Sequence, residues 1–96
     1  MNYPDYALIC KALGDETRIK IFDMLKHGKM CACNILDKFQ ITQPTLSYHM
    51  KMLCDSGLII GEKAGKWVNY SIDKKILKAL NNFLNSTVSD IDKDCC

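Results

Sequence analysis

The feature that most restricts the fold is a change of hydrophobic period at Gly57. Up to that residue the apolar side chains recur at helical spacing. Two runs rich in β-branched and aromatic residues follow, Leu58-Ile59-Ile60-Gly61-Glu62 and Trp67-Val68-Asn69-Tyr70-Ser71-Ile72. Lys63-Ala64-Gly65-Lys66 lies between them and reads as a hairpin turn. After Asp73, a helix cap, the helical period returns in Ile76, Leu77, Leu80, Phe83 and Leu84, and Val88 and Ile91 extend it.

The part before Gly57 divides into four helices. Tyr6, Ile9, Cys10 and Leu13 predict the first over residues 3–13, ended by Gly14. Asp15 is the expected cap of the second, with Ile19, Phe22 and Leu25 on its inner face, Ile21 on the flank and His27-Gly28 at its close. A short third helix lies within residues 31–39, anchored by Ile35, Leu36 and Phe39. After a break at Gln40-Ile41-Thr42, Thr42 caps the fourth, whose stripe is Leu46, Met50 and Leu53. Pro44 is tolerated in its first turn, where N–H groups have no intrahelical acceptor.

Helix, helix, short helix, break, helix, hairpin, helix is the order of a winged helix-turn-helix domain. The expected fold is therefore mainly α with a β-hairpin wing. With 96 residues, 48% hydrophobic and 25% charged, the chain suits one such domain over 1–96, with a flexible tail from about residue 89. No apolar run approaches the roughly 20 residues of a membrane span. The N-terminal residues lack the pattern of a signal peptide. A cytoplasmic location, no membrane partner and reduced thiols are expected.

Net charge is only +2, but it is unevenly spread. Residues 85–96 hold Asp90, Asp92 and Asp94 against Lys93, a balance of −2, which leaves +4 on residues 1–84. A basic body with an acidic tail is compatible with a polyanionic partner. The terminal helices also carry more apolar surface than a compact three-helix core can cover: Tyr3, Tyr6, Ile9, Leu13, Ile76, Leu77, Leu80, Phe83 and Leu84. A symmetric homodimer joined through those helices would bury it.

Four segments carry a resemblance. Ala12-Leu13-Gly14-Asp15-Glu16-Thr17-Arg18-Ile19-Lys20-Ile21 resembles the opening signature of the ArsR/SmtB metalloregulators, and Met30-Cys31-Ala32-Cys33-Asn34-Ile35-Leu36 is similar to their metal-box segment. Gln43-Pro44-Thr45-Leu46-Ser47-Tyr48-His49-Met50-Lys51-Met52-Leu53 resembles their recognition helix; Gly57-Leu58-Ile59 and Gly65-Lys66-Trp67-Val68-Asn69-Tyr70 resemble their wing. The resemblance covers roughly residues 8–72. It implies a homodimeric repressor that holds double-stranded operator DNA when metal-free and releases it when metal binds.

Rotation by 100° per residue puts Pro44, Tyr48, Lys51 and Asp55 opposite the Leu46 stripe, with Thr45 and Ser47 beside them. That face is expected to enter the major groove. Gln43, Thr45 and Ser47 suit base edges. Tyr48 and Lys51 suit stacking or phosphate. Lys63 and Lys66 at the wing tip suit phosphate or the minor groove. His49 lies on the flank, where it is either a DNA contact or a satisfied structural histidine. A winged helix that binds protein instead of DNA is the alternative from another class.

The six cysteines separate into groups. Cys31 and Cys33 stand at the start of the third helix, where thiolates are favoured and select soft ions. Residues i and i+2 of a helix do not face each other, so joint binding of one ion is expected to unwind the first turn and disturb the neighbouring recognition helix. Core packing is the alternative for this pair. In the arsenical-responsive branch, which this box resembles, a third thiol lies one turn further on. Here that position is Leu36. Cys95 and Cys96 end the chain, and an extended tail from Val88 reaches some 20–25 Å at about 3.3 Å per residue. They are expected either to complete the Cys31/Cys33 site, to form a second metal site, or to remain free. Cys10 is expected at the dimer interface and Cys54 in packing.

The zinc-sensing branch uses histidines on the last helix, and here that helix has none; the two histidines are His27 and His49. The cadmium/lead branch adds cysteines in a longer N-terminal arm, where this chain has only Cys10. Thiol-only chemistry points to As(III) or Sb(III) as inducer, with Cd(II), Pb(II) and Bi(III) behind them. A redox or persulfide sensor on the same fold is the rival reading. No activated Cys/His pair, carboxylate pair or phosphate loop is apparent in the sequence, so an enzyme is not expected.

Overall fold

A computed structural model describes residues 1–93. Among them the order is α1 (Tyr3–Leu13), α2 (Glu16–Met24), a 3-10 turn (Leu25–His27), β1 (Met30–Cys31), α3 (Ala32–Leu36), α4 (Gln43–Asp55), β2 (Ile59–Ala64), β3 (Trp67–Ile72) and α5 (Lys74–Lys93). The winged helix-turn-helix reading holds, with α3 and α4 as the helix-turn-helix and β2–β3 as the wing. No described helix is long and apolar enough to cross a membrane.

Helix starts follow side chains that satisfy first-turn N–H groups. Asn2 and Asp5 form a reciprocal capping box at α1. Asp15 accepts the Arg18 N–H at 3.1 Å, Thr42 the Thr45 N–H at 3.3 Å, and Asp73 those of Lys75 and Ile76 at 3.0 and 3.4 Å. The wing turns at Gly65, whose φ of 65° admits glycine readily. Ala64 pairs with Trp67, so the tip is the two-residue turn Gly65-Lys66 rather than the longer loop expected, and Lys63 belongs to β2 opposite Val68.

Ile9, Ile21, Leu25, Ile35, Leu46, Met50, Leu53, Leu58, Ile59 and Leu80 form one buried core. α4 thus packs by its Leu46–Met50–Leu53 stripe and leaves its other face to solvent. The inner face of α2 differs from the expectation. Ile21 is fully buried and Ile19 is 42% exposed. The cause is Arg18, which stands three residues before Ile21 and seven before Leu25 on the buried stripe, and whose hydrogen bonds turn that stripe inward.

Two further differences bear on function. β1, absent from the sequence reading, pairs with β3 to make a three-stranded antiparallel sheet of order β1-β3-β2. α5 continues to Lys93, through part of the segment expected as a flexible tail. Leu84, Val88 and Ile91 prolong its apolar stripe at helical spacing.

α1 and α5 meet through the stacked rings of Tyr6 and Phe83, 4.1 Å between centroids. Ile9 and Leu80 are buried within the protomer, but Tyr3, Leu8, Leu84, Val88 and Ile91 are exposed. The radius of gyration is 15.4 Å, against about 13 Å for a compact chain of this length.

Candidate nucleic-acid interface and thiol pair

α4 presents Gln43, Thr45, Ser47, Tyr48 and Lys51 to solvent. The Thr45 hydroxyl lies 2.9 Å from that of Thr42, so it stands in the cap of the helix. Lys51 meets Asp55 at 3.1 Å in an exposed pair, an interaction weak enough for a phosphate to displace. Lys63 and Lys66 are exposed on the wing. Between wing and helix lies a cleft of about 90 Å³, lined among others by Gln43, Ser47, Lys66 and Trp67. Its floor includes Ala32 and Leu36 of α3. Of the residues singled out for DNA, the cleft brings together Gln43, Ser47 and Lys66.

His49 is placed differently. Its side chain is 13% exposed, and its Nδ1 lies 3.1 Å from Arg18 Nη1 and 3.9 Å from Asp15 Oδ2. A guanidinium only donates, so Nδ1 accepts. Arg18 also donates from Nε to the Ala12 carbonyl at 2.6 Å. Arg18 and Asp15 were not singled out from the sequence. The available signal was an arginine at i−3 and i−7 of an apolar stripe. Asp15's carboxyl is held below its ordinary range chiefly by the Arg18 backbone N–H; burial opposes this, and the Arg18 charge adds to the lowering.

Cys31 is both the last residue of β1 and the N-cap of α3, with extended backbone (φ −70°, ψ 143°). Its sulfur accepts the Cys33 N–H at 3.3 Å. The Cys33 thiol points to the Asn34 side-chain oxygen at 3.9 Å; its proximity holds Cys31 below the usual thiol range, and Cys31 in turn pushes Cys33 up. The expectation put both cysteines at the start of the helix; in the structure Cys31 lies just outside α3 as its N-cap and only Cys33 lies within it. A soft ion is well matched to such a thiol pair with one easily formed thiolate.

Among the described residues no group of three or more Cys, His, Asp or Glu surrounds a common point. Leu36 occupies the position of a third thiol, partly buried against the core. Cys95 and Cys96 lie outside the described residues. Cys54 is half-buried against the core, and burial, followed by the Asp55 charge, pushes its thiol up. Cys10 is on the exposed side of α1 in the protomer.

Residues 15–60 match the family model described as bacterial regulatory protein, arsR family. The chain is 38% identical over 95 residues to an arsenical resistance operon repressor of Staphylococcus xylosus, covering 99% of this chain and 90% of that protein. It is 41% identical over 85 residues to the arsenical resistance operon repressor of Staphylococcus aureus, covering 88% and 82%. A cadmium resistance transcriptional regulatory protein CadC homolog of Staphylococcus aureus is 36% identical over 80 residues, covering 82% and 66%. Among solved structures, the ArsR family transcriptional regulator RHA00566 superposes with a TM-score of 0.85 at 25% identity, covering 92% of this chain and 97% of that one. The homodimeric winged helix-turn-helix domain Mb0332 of Mycobacterium bovis does so with 0.72 at 24%, covering 91% and 80%. The chain belongs to the arsR family of bacterial regulatory proteins, and is a DNA-binding transcriptional repressor rather than an enzyme.

Proposed function

We propose that the chain acts in the cytoplasm as a homodimeric, metalloid-responsive repressor, bound to double-stranded operator DNA through α4 and the wing and released when Cys31 and Cys33 take As(III) or Sb(III) as thiolates. The observation that carries this is the position of Ala32. It stands between the two cysteines and lines the same cleft as Gln43, Ser47 and Lys66. Movement of the thiols is thereby transmitted to the helix–wing geometry. Two arsenical resistance repressors among the relatives support the choice of ion.

The Gln43, Thr45, Ser47 and Tyr48 face reads the major groove, Lys51, Lys63 and Lys66 hold phosphates, and His49 supports that face from behind. Cys95 or Cys96, or an exogenous thiol or hydroxide, supplies the third ligand. The exposed Leu84–Val88–Ile91 stripe, with Tyr3, forms the dimer interface, and the homodimeric neighbour is consistent with it. The cadmium resistance relative favours Cd(II) as the second reading, ahead of Pb(II) and Bi(III).

The test is operator release, followed by fluorescence anisotropy, with a panel of As(III), Sb(III), Cd(II), Pb(II), Bi(III) and an oxidant. Release at the lowest concentration by As(III) or Sb(III), with a mass gain of one arsenic or antimony, supports the proposal. Release by oxidant alone with loss of two hydrogens per cysteine pair identifies a redox sensor instead.

A further inference from the structure

Three helices, α1, α2 and α4, meet on one buried guanidinium. Arg18 is only 9% exposed. Its Nε–H donates to the carbonyl of Ala12, in the last turn of α1, at 2.6 Å, and its Nη1 donates to His49 of α4 at 3.1 Å. Asp15, the cap of α2, stands 3.9 Å from the same His49 nitrogen and is itself engaged by the Arg18 backbone N–H. The Tyr48 ring meets His49 edge-on at 5.6 Å. Among the described residues no buried side-chain nitrogen or oxygen lacks a partner. The network is therefore complete as it stands, and His49 contributes an acceptor.

We propose that Arg18 and His49 form a proton-sensitive pin that sets the position of α4 for DNA, with His49 as a positioning residue acting through its unprotonated Nδ1. A proton on Nδ1 removes the lone pair that Arg18 uses and places a cation against a cation. Asp15 attracts the protonated ring, but its carboxylate is already committed to the start of α2. The ring must then leave Arg18, and α4 moves with it. Histidine is the side chain whose ordinary titration falls in the mildly acidic range, so the pin loosens as pH falls. The sign is diagnostic. A histidine that contacted phosphate would gain charge on acidification and tighten binding, whereas the pin predicts weaker binding.

This inference rests on α4 being the DNA-reading helix, which Gln43→Ala and Ser47→Ala test separately. The main experiment measures the dissociation constant of reduced protein for a duplex selected from a random-sequence pool, at constant ionic strength, near pH 7.5 and near pH 5.5. Wild type, His49→Asn, His49→Phe and, as control for the other histidine, His27→Gln are compared. Asparagine places an acceptor oxygen near the position of Nδ1 and does not titrate. Wild type and His27→Gln are expected to lose about tenfold or more in affinity at the lower pH, the scale of one lost hydrogen bond to a charged group. His49→Asn is expected to hold its affinity at both pH values, and His49→Phe to bind weakly at both. Wild-type binding that is unchanged or tighter at low pH, or a His49→Asn profile that follows wild type, overturns the pin. If His49→Phe fails to fold, the wild-type and His49→Asn profiles still decide. A flat wild-type profile with Gln43→Ala and Ser47→Ala impaired removes the pin alone; no effect of those two variants removes the α4 reading and the pin with it.

Discussion

Cys31 is the antiparallel partner of Asn69, so the first residue of the thiol pair is also a backbone partner of the wing. The same residue caps α3 through its sulfur. A change at Cys31 is therefore expected to reach two neighbours of the proposed DNA surface, the start of α3 through its sulfur and the centre of β3 through its backbone. Amide hydrogen exchange checks this. Arsenite is expected to raise exchange at residues 30–33 and 67–70 while leaving Leu53 and Leu58, deep in the core, protected. Equal protection across the wing with and without arsenite would show that the pair and the wing are uncoupled.

The two thiols of the pair are expected to differ in reactivity. The Cys33 thiol holds Cys31 low, while Cys33 itself is pushed up by Cys31 and Cys54 by burial. Peptide-mapped alkylation by iodoacetamide near neutral pH is expected to mark Cys31 before Cys33 and Cys54. Cys33→Ala removes the neighbour that lowers Cys31 and is expected to slow its alkylation, because a smaller fraction of Cys31 is then thiolate. Because Cd(II) displaces thiol protons, its apparent affinity at this pair falls as pH falls; As(OH)3 carries hydroxides that leave as water with those protons, so its affinity is expected to depend much less on pH.

Val88 is 57% exposed in the protomer, at the middle of the Leu84–Val88–Ile91 stripe. In a dimer closed by this stripe, Val88→Asp buries an unpaired charge twice across the symmetry axis. Sedimentation is expected to show conversion from dimer to a 10.9 kDa monomer. Operator affinity falls with it, because one protomer reads only one half-site.

Asp15→Ala is expected to cost about 1 kcal/mol in denaturant unfolding at neutral pH, the usual worth of an N-cap. Asp15's pKa is depressed in the folded chain. Its charge therefore stabilises fully above the unfolded value of 3.8, and that contribution disappears as pH falls through the lower folded value. The difference between wild type and variant should narrow in acid. In the core, Leu53→Ala, at a fully buried position, is expected to cost about 2–5 kcal/mol.

Periodicity made most of the fold legible. The stripes of α4 and α5 and the caps Asp15, Thr42 and Asp73 are local patterns, and they appear in the structure where they were read. The readings that failed depend on tertiary contacts. β1 is two residues long, too short for any alternation, and exists because β3 offers it an edge. Ile19 and Ile21 could not be ranked without knowing that Arg18 turns inward to reach Ala12 and His49. The continuation of α5 past residue 89 was signalled by Val88 and Ile91, but the aspartates around them obscured it. Of the candidate site, the exposed face of α4 was readable by rotation alone. The capping of α3 by the Cys31 sulfur depends on a backbone angle at one residue, which spacing does not reveal.

The central claim is that the Cys31/Cys33 pair senses the inducer. Its most direct test is arsenite-driven release of operator DNA by the intact protein, Cys31→Ser/Cys33→Ser and Cys95→Ser/Cys96→Ser. The predicted result is that the first double variant binds DNA as wild type does but no longer releases it, while the second retains a response, weakened if the terminal thiols supply the third ligand. Full arsenite response in Cys31→Ser/Cys33→Ser would contradict the account.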